Sequence, residues 1–419
     1  INAGSIASTG GTLSFAGGLT LGAEGSLDVT DSTFSVSQAL NLSTASFTSS
    51  VLDLQAATTL SSSALVSFGS LTTNGNVLTL GSASTHLKLN NALTLDGVAL
   101  ETGAGSLTLL DTLSLSNSAA LNSTGGTITL GSGASVPSGT SISLPDTTLV
   151  LENDLSLTGG TLKTNNTTFT TNSNALSLSE SSILEVEGVQ DLSGVIPDNS
   201  VTLRLAADST VNTDASLSFG TLDLANFALT LDDQMAGLSI AQPVTLDNTG
   251  EKIVTGAADL SLNGGISATA GTLSSTGGTL SLPGGATLAS GASFSTSNTT
   301  LNLGGSLAVA DTWTSTSTSI LLTDNASLSS TEEMSLASLQ TNGHDFELAS
   351  AASDLTIQNA FALSGSETLS TQGADLIFES SADISPGSTL DASGGGKLEF
   401  QQGGTDNGTI NARNATFKI

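Results

Sequence analysis

The chain has 419 residues, a formal net charge of −30, seven Lys and Arg in all, and no cysteine. The basic residues Lys88, Lys163, Arg204, Lys252, Lys397, Arg413 and Lys418 are scattered, which excludes the clustered positive charge that nucleic acid or an anionic membrane surface demands. Missing thiols exclude disulfides, thiolate metal sites and cysteine nucleophiles. Disorder is disfavoured, since only 11% of residues are charged and mean hydropathy is +0.21. No run of about 18 apolar residues occurs, so no membrane insertion is expected.

Short apolar-x-apolar units recur along the chain: Leu13 with Phe15, Leu40 with Leu42, Leu87 with Leu89, Leu155 with Leu157, Leu260 with Leu262, Leu355 with Ile357. Alternation at period two places both apolar side chains on one face of a strand. Gly, Asn, Asp and Ser punctuate the units, and Gly-Gly-Thr-apolar recurs from Gly10, Gly125, Gly159 and Gly277. Paired glycines supply the positive φ of a tight corner, and a strand starts at the Thr.

The spacing of the units sets the architecture. One column runs Leu19, Leu40, Leu60, Leu80, Leu100, Leu121, Ile142, Leu162, Ile183, Leu203, Leu222, Val244, Ile266, Leu288, Leu307, Leu328, Leu348, Leu369, Leu390, Ile410. Its steps are about 19 to 22 residues, the period of a repeat array. A second column runs Leu273, Phe294, Trp313, Met334, Leu355, Leu376, Leu398, Phe417, and a third Leu280, Leu301, Ile320, Leu339, Phe361, Ile384. Three short strands per coil predict an all-β fold, a parallel β-helix (β-solenoid) of about 20 coils. At about 4.8 Å per rung that is a rod on the order of 100 Å long. Residues 1–419 read as a single continuous β-solenoid. Val195 to Asn199 and Asp232 to Ala236 read as longer corners or small excursions. Neither Ile1 to Gly4 nor Phe417 to Ile419 has the look of a cap, so the native object is expected to continue at both ends, as a longer chain or fibre.

The Leu-x-Leu strands, the coil length and the Gly/Asn/Ser corners resemble the β-helical shafts of large secreted bacterial adhesins, of the filamentous-haemagglutinin-like and autotransporter-passenger kinds. That resemblance implies export, a cell-surface or fibre location, a right-handed coil, and adhesion or scaffolding. The expected function is a structural segment of an extracellular fibre, self-associating end-to-end or side-by-side and meeting a host or neighbouring-cell surface or glycan. No enzyme activity and no cofactor are expected.

The alternative is a polysaccharide-binding or polysaccharide-cleaving β-helix. Such proteins need clustered carboxylates and aromatic platforms in a groove, whereas this chain has one Trp and no Tyr. His86 and His344 read as surface residues, and the pairs Asp232–Asp233 and Glu332–Glu333 point to opposite faces if they lie in strands. The most specific charged feature is a ladder: Glu333, Asp354 and Asp375 are spaced at 21 residues, with Lys397 on the next rung. Stacked about 4.8 Å apart they form a candidate Ca²⁺ ladder. Ice binding needs threonine aligned on many coils; Thr312, Thr314, Thr316 and Thr318 form one alternating strand, but the adjoining rungs, Ser293 to Ser295 and Glu333 to Ser335, do not extend that threonine array.

Overall fold

The structure, a computed structural model, describes residues 1–43, 45–311 and 313–419. Among the described residues every element is a β-strand, most of them three to five residues long. Strands pair in parallel with their counterparts one coil away, giving the β-solenoid of about 20 turns that the spacing predicts. Two compact units divide the chain, Ile1–Ala206 and Ala207–Ile419.

The first unit opens on two broad coils. Ala3–Phe15 and Glu24–Val36, thirteen residues each, pair side by side in parallel. Val51–Leu54 then stacks on the second of these. Later coils carry three faces. One runs Leu40–Leu42, Thr58–Ser62, Leu78–Leu80, Ala99–Gly103, Ala120–Ser123, Ser141–Ser143, Thr161–Asn165 and Ile183–Asp191. The next runs from Leu65–Phe68 through His86–Leu89, Ser106–Leu109, Thr127–Leu130 and Thr148–Leu151 to Thr168–Thr170. A third holds Leu93–Asp96 with Leu113–Ser116, and then Leu155–Thr158, Leu176–Ser179 and Val195–Pro197.

The second unit repeats the plan. One face runs from Leu217–Phe219 to Ser338–Gln340, and another from Val244–Leu246 to Thr409–Asn411. The last holds Ala228–Leu231, Lys252–Thr255, Thr272–Ser275, Ser293–Ser297 and Trp313–Thr316, and a separate ladder runs from Met334–Leu336 to Thr416–Lys418.

Within each strand the alternation works as expected. Leu87 and Leu89 are fully buried while Lys88 between them faces out. Each buried Leu contributes about 1.5–3 kcal/mol through removal from water. Aromatic rings stack up the core of the second unit: Phe361–Phe378 and Phe378–Phe400 have centroids 5.1 Å apart, and Phe294–Trp313 5.2 Å. Trp313 is 5% exposed, and its Nε1 donates to Thr296 Oγ1 at 2.9 Å.

The second column is confirmed as two registered runs, one ending at Trp313 and the other opening at Met334 in a separate sheet. Leu273 pairs Phe294 and Phe294 pairs Trp313, while Met334, Leu355, Leu376, Leu398 and Phe417 follow one another in register. The twenty-residue column needs correction. Leu100 pairs Leu78 rather than Leu80, Ile266 pairs Ala286 rather than Leu288, and Leu369 pairs Phe346 rather than Leu348. Leu162 pairs Leu184, and Ile183 faces outward beside Thr161. In the third column Phe361 pairs Ala382, so Ile384 belongs to Leu363. Slips of two residues keep the apolar side chain inward, which is why spacing alone does not see them. In the second unit, moreover, the Leu273 ladder and the Val244 ladder share one period, so a period by itself does not say which face a residue occupies.

Val195–Pro197 is also a correction, since it is a strand in register with Leu176–Ser179 rather than an excursion. Asp232 to Ala236 is a corner, closed by the Met235 N–H on the Asp232 carbonyl at 3.0 Å, with Met235 buried.

A recurrent corner that composition concealed reads Thr-Asn-Gly-Asn at Thr73, Thr-Asn-Ser-Asn at Thr171 and Thr-Asn-Gly-His at Thr341. Asn74 and Gly75 have φ of 50° and 76°, and the Asn76 N–H reaches the Thr73 carbonyl at 2.8 Å. Two successive positive φ values with that bond are the signature of a type I′ turn. Asn172 with Ser173, and Asn342 with Gly343, repeat it.

Candidate functional site

The predicted acidic ladder assembles at one corner of the second unit. Because Met334, Leu355, Leu376 and Leu398 occupy successive rungs, the residues before them, Glu333, Asp354, Asp375 and Lys397, stand at successive corners. What the carboxylates do there was not legible in the spacing. Asp354 Oδ1 accepts the backbone N–H of Asp375 at 2.7 Å, and Asp375 Oδ1 accepts that of Lys397 at 2.7 Å. Glu333 is exposed. Among the described residues no group of three or more His, Asp or Glu is arranged to hold a metal ion.

The same device recurs along both units. A side-chain Oδ1 accepts an N–H from the following coil at Asp154–Ala175, Asp208–Ala228, Asp233–Ala257, Asp259–Thr279, Asn325–Asp345, Asp345–Thr368 and Asp383–Thr405, at 2.7 to 3.0 Å. Most of the donors open or immediately precede a strand, where the sheet ladder leaves an N–H unpaired, and a carboxylate supplies the acceptor as an N-cap does for a helix. Asn side chains bind the complementary group. Asn74 Nδ2 donates to the Leu54 carbonyl at 3.0 Å, Asn174 to that of Leu151 at 3.0 Å, and Asn342 to that of Leu322 at 3.2 Å.

Asp354→Ala is therefore expected to cost about 1–2 kcal/mol, because it strands the Asp375 N–H, whereas Asp354→Asn keeps an Oδ1 acceptor and costs a few tenths. Urea denaturation of the two variants side by side checks this. Equal losses would mean that charge, and not the acceptor, is what matters.

The remaining singled-out residues are dispersed. His86 Nε2 lies 2.8 Å from Thr108 Oγ1, and burial, then the nearby Lys88, lowers its pKa. His344 closes the Thr341 corner through its N–H. Asp232 Oδ1 accepts the Gln234 N–H at 2.9 Å and Asp233 turns to the next coil, so this pair sits in a corner with its oxygens engaged separately. Glu332 and Glu333 are both exposed. Of the alternating threonines, Thr314 and Thr316 face out, Thr318 is fully buried against Thr296 at 2.8 Å, and Thr312 lies outside the described residues.

Charge pairs join neighbouring coils at two places described here. Lys163 and Glu185 meet at 3.2 Å, and Glu399 is held by Lys418 at 2.6 Å and Lys397 at 3.3 Å. The Lys418 contact leads the causes that lower the Glu399 pKa. Asp96 is lowered by Ser116 and Asn117, Asp383 by Thr405, and Asp391 by Ser393, all through hydrogen bonds to the carboxylate. A carboxyl whose folded pKa lies below its unfolded value stabilises the fold above the ordinary carboxylate range and loses that contribution as pH falls through the folded value. Melting temperature is thus expected to hold from neutral pH to about 4.5 and to decline below about 4. Thermal melts followed by circular dichroism test this, and a flat profile down to pH ~2 would contradict it.

Two shallow polar depressions mark the second unit. One is an open hollow of about 550 Å³ beside Asn325, Asp345 and Glu347, and the other, about 350 Å³, lies beside Ser239, Asp259 and Asn302. Asp345 and Asp259 are already engaged as caps, and Glu347 Oε1 accepts from Gln372 at 2.7 Å. Comparison with protein families, with curated proteins and with solved structures finds no match to this chain.

Proposed function

We propose that the chain is a structural segment of an extracellular, cell-surface fibre or adhesin of the β-helical shaft kind, serving as a stiff filament or scaffold. The observation that carries this reading is where the polar side chains are spent. Asp Oδ1 atoms, Asn amides and corner hydroxyls bind the main chain of the neighbouring coil, so each rung is joined to the next by side chains as well as by sheet hydrogen bonds. That is a design for resisting bending and shear. High negative charge keeps neighbouring shafts soluble and apart. The partners that fit are further copies of the same kind of surface, joined end-to-end or side-by-side, and a host or neighbouring-cell surface.

Single-molecule stretching tests the mechanical reading directly. The expected result is a series of force peaks, each releasing the length of one or a few coils. Smooth extension at low force would remove it. Negative-stain images of the secreted native material test the filament separately, with rods of uniform width expected.

A further inference from the structure

The acidic corners and buried hydroxyls are absorbed by stapling, but one face of the first unit is not. Ser106–Leu109, Thr127–Leu130, Thr148–Leu151 and Thr168–Thr170 are consecutive rungs of one parallel ladder. Leu107, Ile128, Leu149 and Phe169 pair in sequence, so the residues on either side of them stack in two outward columns. One column is Ser106, Thr127, Thr148, Thr168, and the other Thr108, Thr129, Val150, Thr170. Rungs are about 4.8 Å apart and the columns about 6.6 Å, the rise of two residues in a strand. The result is a rectangular grid of methyls and hydroxyls. Val150 keeps the shape of threonine at the one site where the hydroxyl is lost.

A second observation concerns the hydroxyls themselves, which stand in two columns side by side. Among the described residues the hydroxyls of Thr127, Thr129, Thr148, Thr168 and Thr170 have no partner, whereas Thr108 is bound by His86 and Ser106 Oγ accepts the Thr127 N–H at 3.2 Å. Unengaged stacks elsewhere are single columns: Thr368, Thr389 and Thr409 rise beside Ser370, Asp391 and Asn411, and Thr245, Ser267 and Thr287 lead on to Ala308. Other stacks are engaged. In the second unit Ser239 and Ser261 both bind Asn263, and Ser281 binds Asn302. No charged side chain stands in the two columns. Lys88 and His86 lie on the rung before them.

We propose that this threonine face binds ice. A free hydroxyl beside a methyl, repeated on a rectangular grid, holds water in rows. The rows of oxygens on the faces of hexagonal ice repeat on the same scale in both directions, so water ordered over the grid merges with the crystal. Serine faces lack the methyl that confines the water, and engaged hydroxyls are not available to it. This inference does not depend on the mechanical reading: a shaft of either function carries the face.

Nanolitre osmometry on the 419-residue chain tests it, with Thr129→Tyr to break the flat face and Thr287→Tyr, an exposed site on another ladder of the second unit, as control. The expected result is ice-crystal shaping and a gap between melting and freezing points that Thr129→Tyr loses and Thr287→Tyr keeps, with both melting like the parent. Should Thr129→Tyr fail to fold, Thr170→Tyr, on the last rung, replaces it with the same expectation. No shaping and no gap from the parent chain would overturn the proposal. So would activity that survives a folded Thr129→Tyr, or activity lost equally in both tyrosine variants.

Discussion

Gly278→Ala is expected to lower stability by roughly 2–4 kcal/mol, among the largest effects available to a single methyl in this chain. Two causes add. The backbone at Gly278 has φ of 59°, in the left-handed region that an L side chain enters at a cost. A Cβ there would also stand 2.5 Å from the carbonyl oxygen of Ala257 and 2.8 Å from that of Ala258, which are main-chain atoms of the coil below. Gly126 repeats the geometry, with φ of 71° and carbonyl oxygens at 2.4 and 2.6 Å. At Gly126 and Gly278 the Gly-Gly-Thr motif is thus a corner that bends left-handed while lying on the corner beneath it, whereas Gly10 and Gly11 lie inside the strand Ala3–Phe15, where an added Cβ meets nothing within 4 Å. Gly133→Ala is the control. It has no atom within 4 Å of the new Cβ and is expected to change stability by less than about 0.5 kcal/mol. Urea midpoints of the two variants settle the ranking, and equal midpoints for Gly278→Ala and Gly133→Ala would contradict the stacking argument.

Phe378→Ala is expected to cost about 3–5 kcal/mol, and Phe378→Leu about a third of that. Phe378 is fully buried, with Phe361 and Phe400 each stacked at 5.1 Å. Removing its ring leaves both neighbours facing a void inside a core only one side chain deep per rung, where little can move in to fill it. Because each coil touches chiefly its neighbours, the loss is expected to be local at first. Hydrogen exchange should rise around residues 355–400 before it rises in the first unit. A uniform increase over the whole chain would mean that the solenoid unfolds as one block.

The period, the parallel pairing and the three-strand coil were legible because alternation and a 19–22-residue step both survive in the sequence. The Leu273 to Phe417 column was legible within each of its two registered runs, since its members are large and a polar residue precedes most of them. The longer column was legible only as a period. Its slips of two residues, as at Leu78 with Leu100, preserve the inward direction and leave no trace in an apolar pattern. The acidic ladder was placed correctly at its corner, but the use of Asp354 and Asp375 was not, because sequence spacing reports carboxylate against carboxylate and is silent on unpaired N–H groups. The threonine face escaped for a related reason. Threonine density along one strand points to Thr314 and its neighbours, while the two columns are built from sparse Thr-Ile-Thr, Thr-Leu-Val and Thr-Phe-Thr units a coil apart.

The caps have a direction. The nine bonds described above from an Asp or Asn Oδ1 to a main-chain N–H one coil away all run from an earlier residue to a later one, from Asp154 to Ala175 through Asp383 to Thr405. A finished coil therefore presents acceptors to the coil that follows it in the chain, together with the open strand edges of its sheets. A chain emerging amino end first, from a ribosome or through an export channel, meets a template for each new coil as it appears. Growth in that order needs only local loop closures of about twenty residues, each entropically cheap. The reverse order has the strand edges but lacks the waiting carboxylates, so the stack favours growth in the order in which the chain is made.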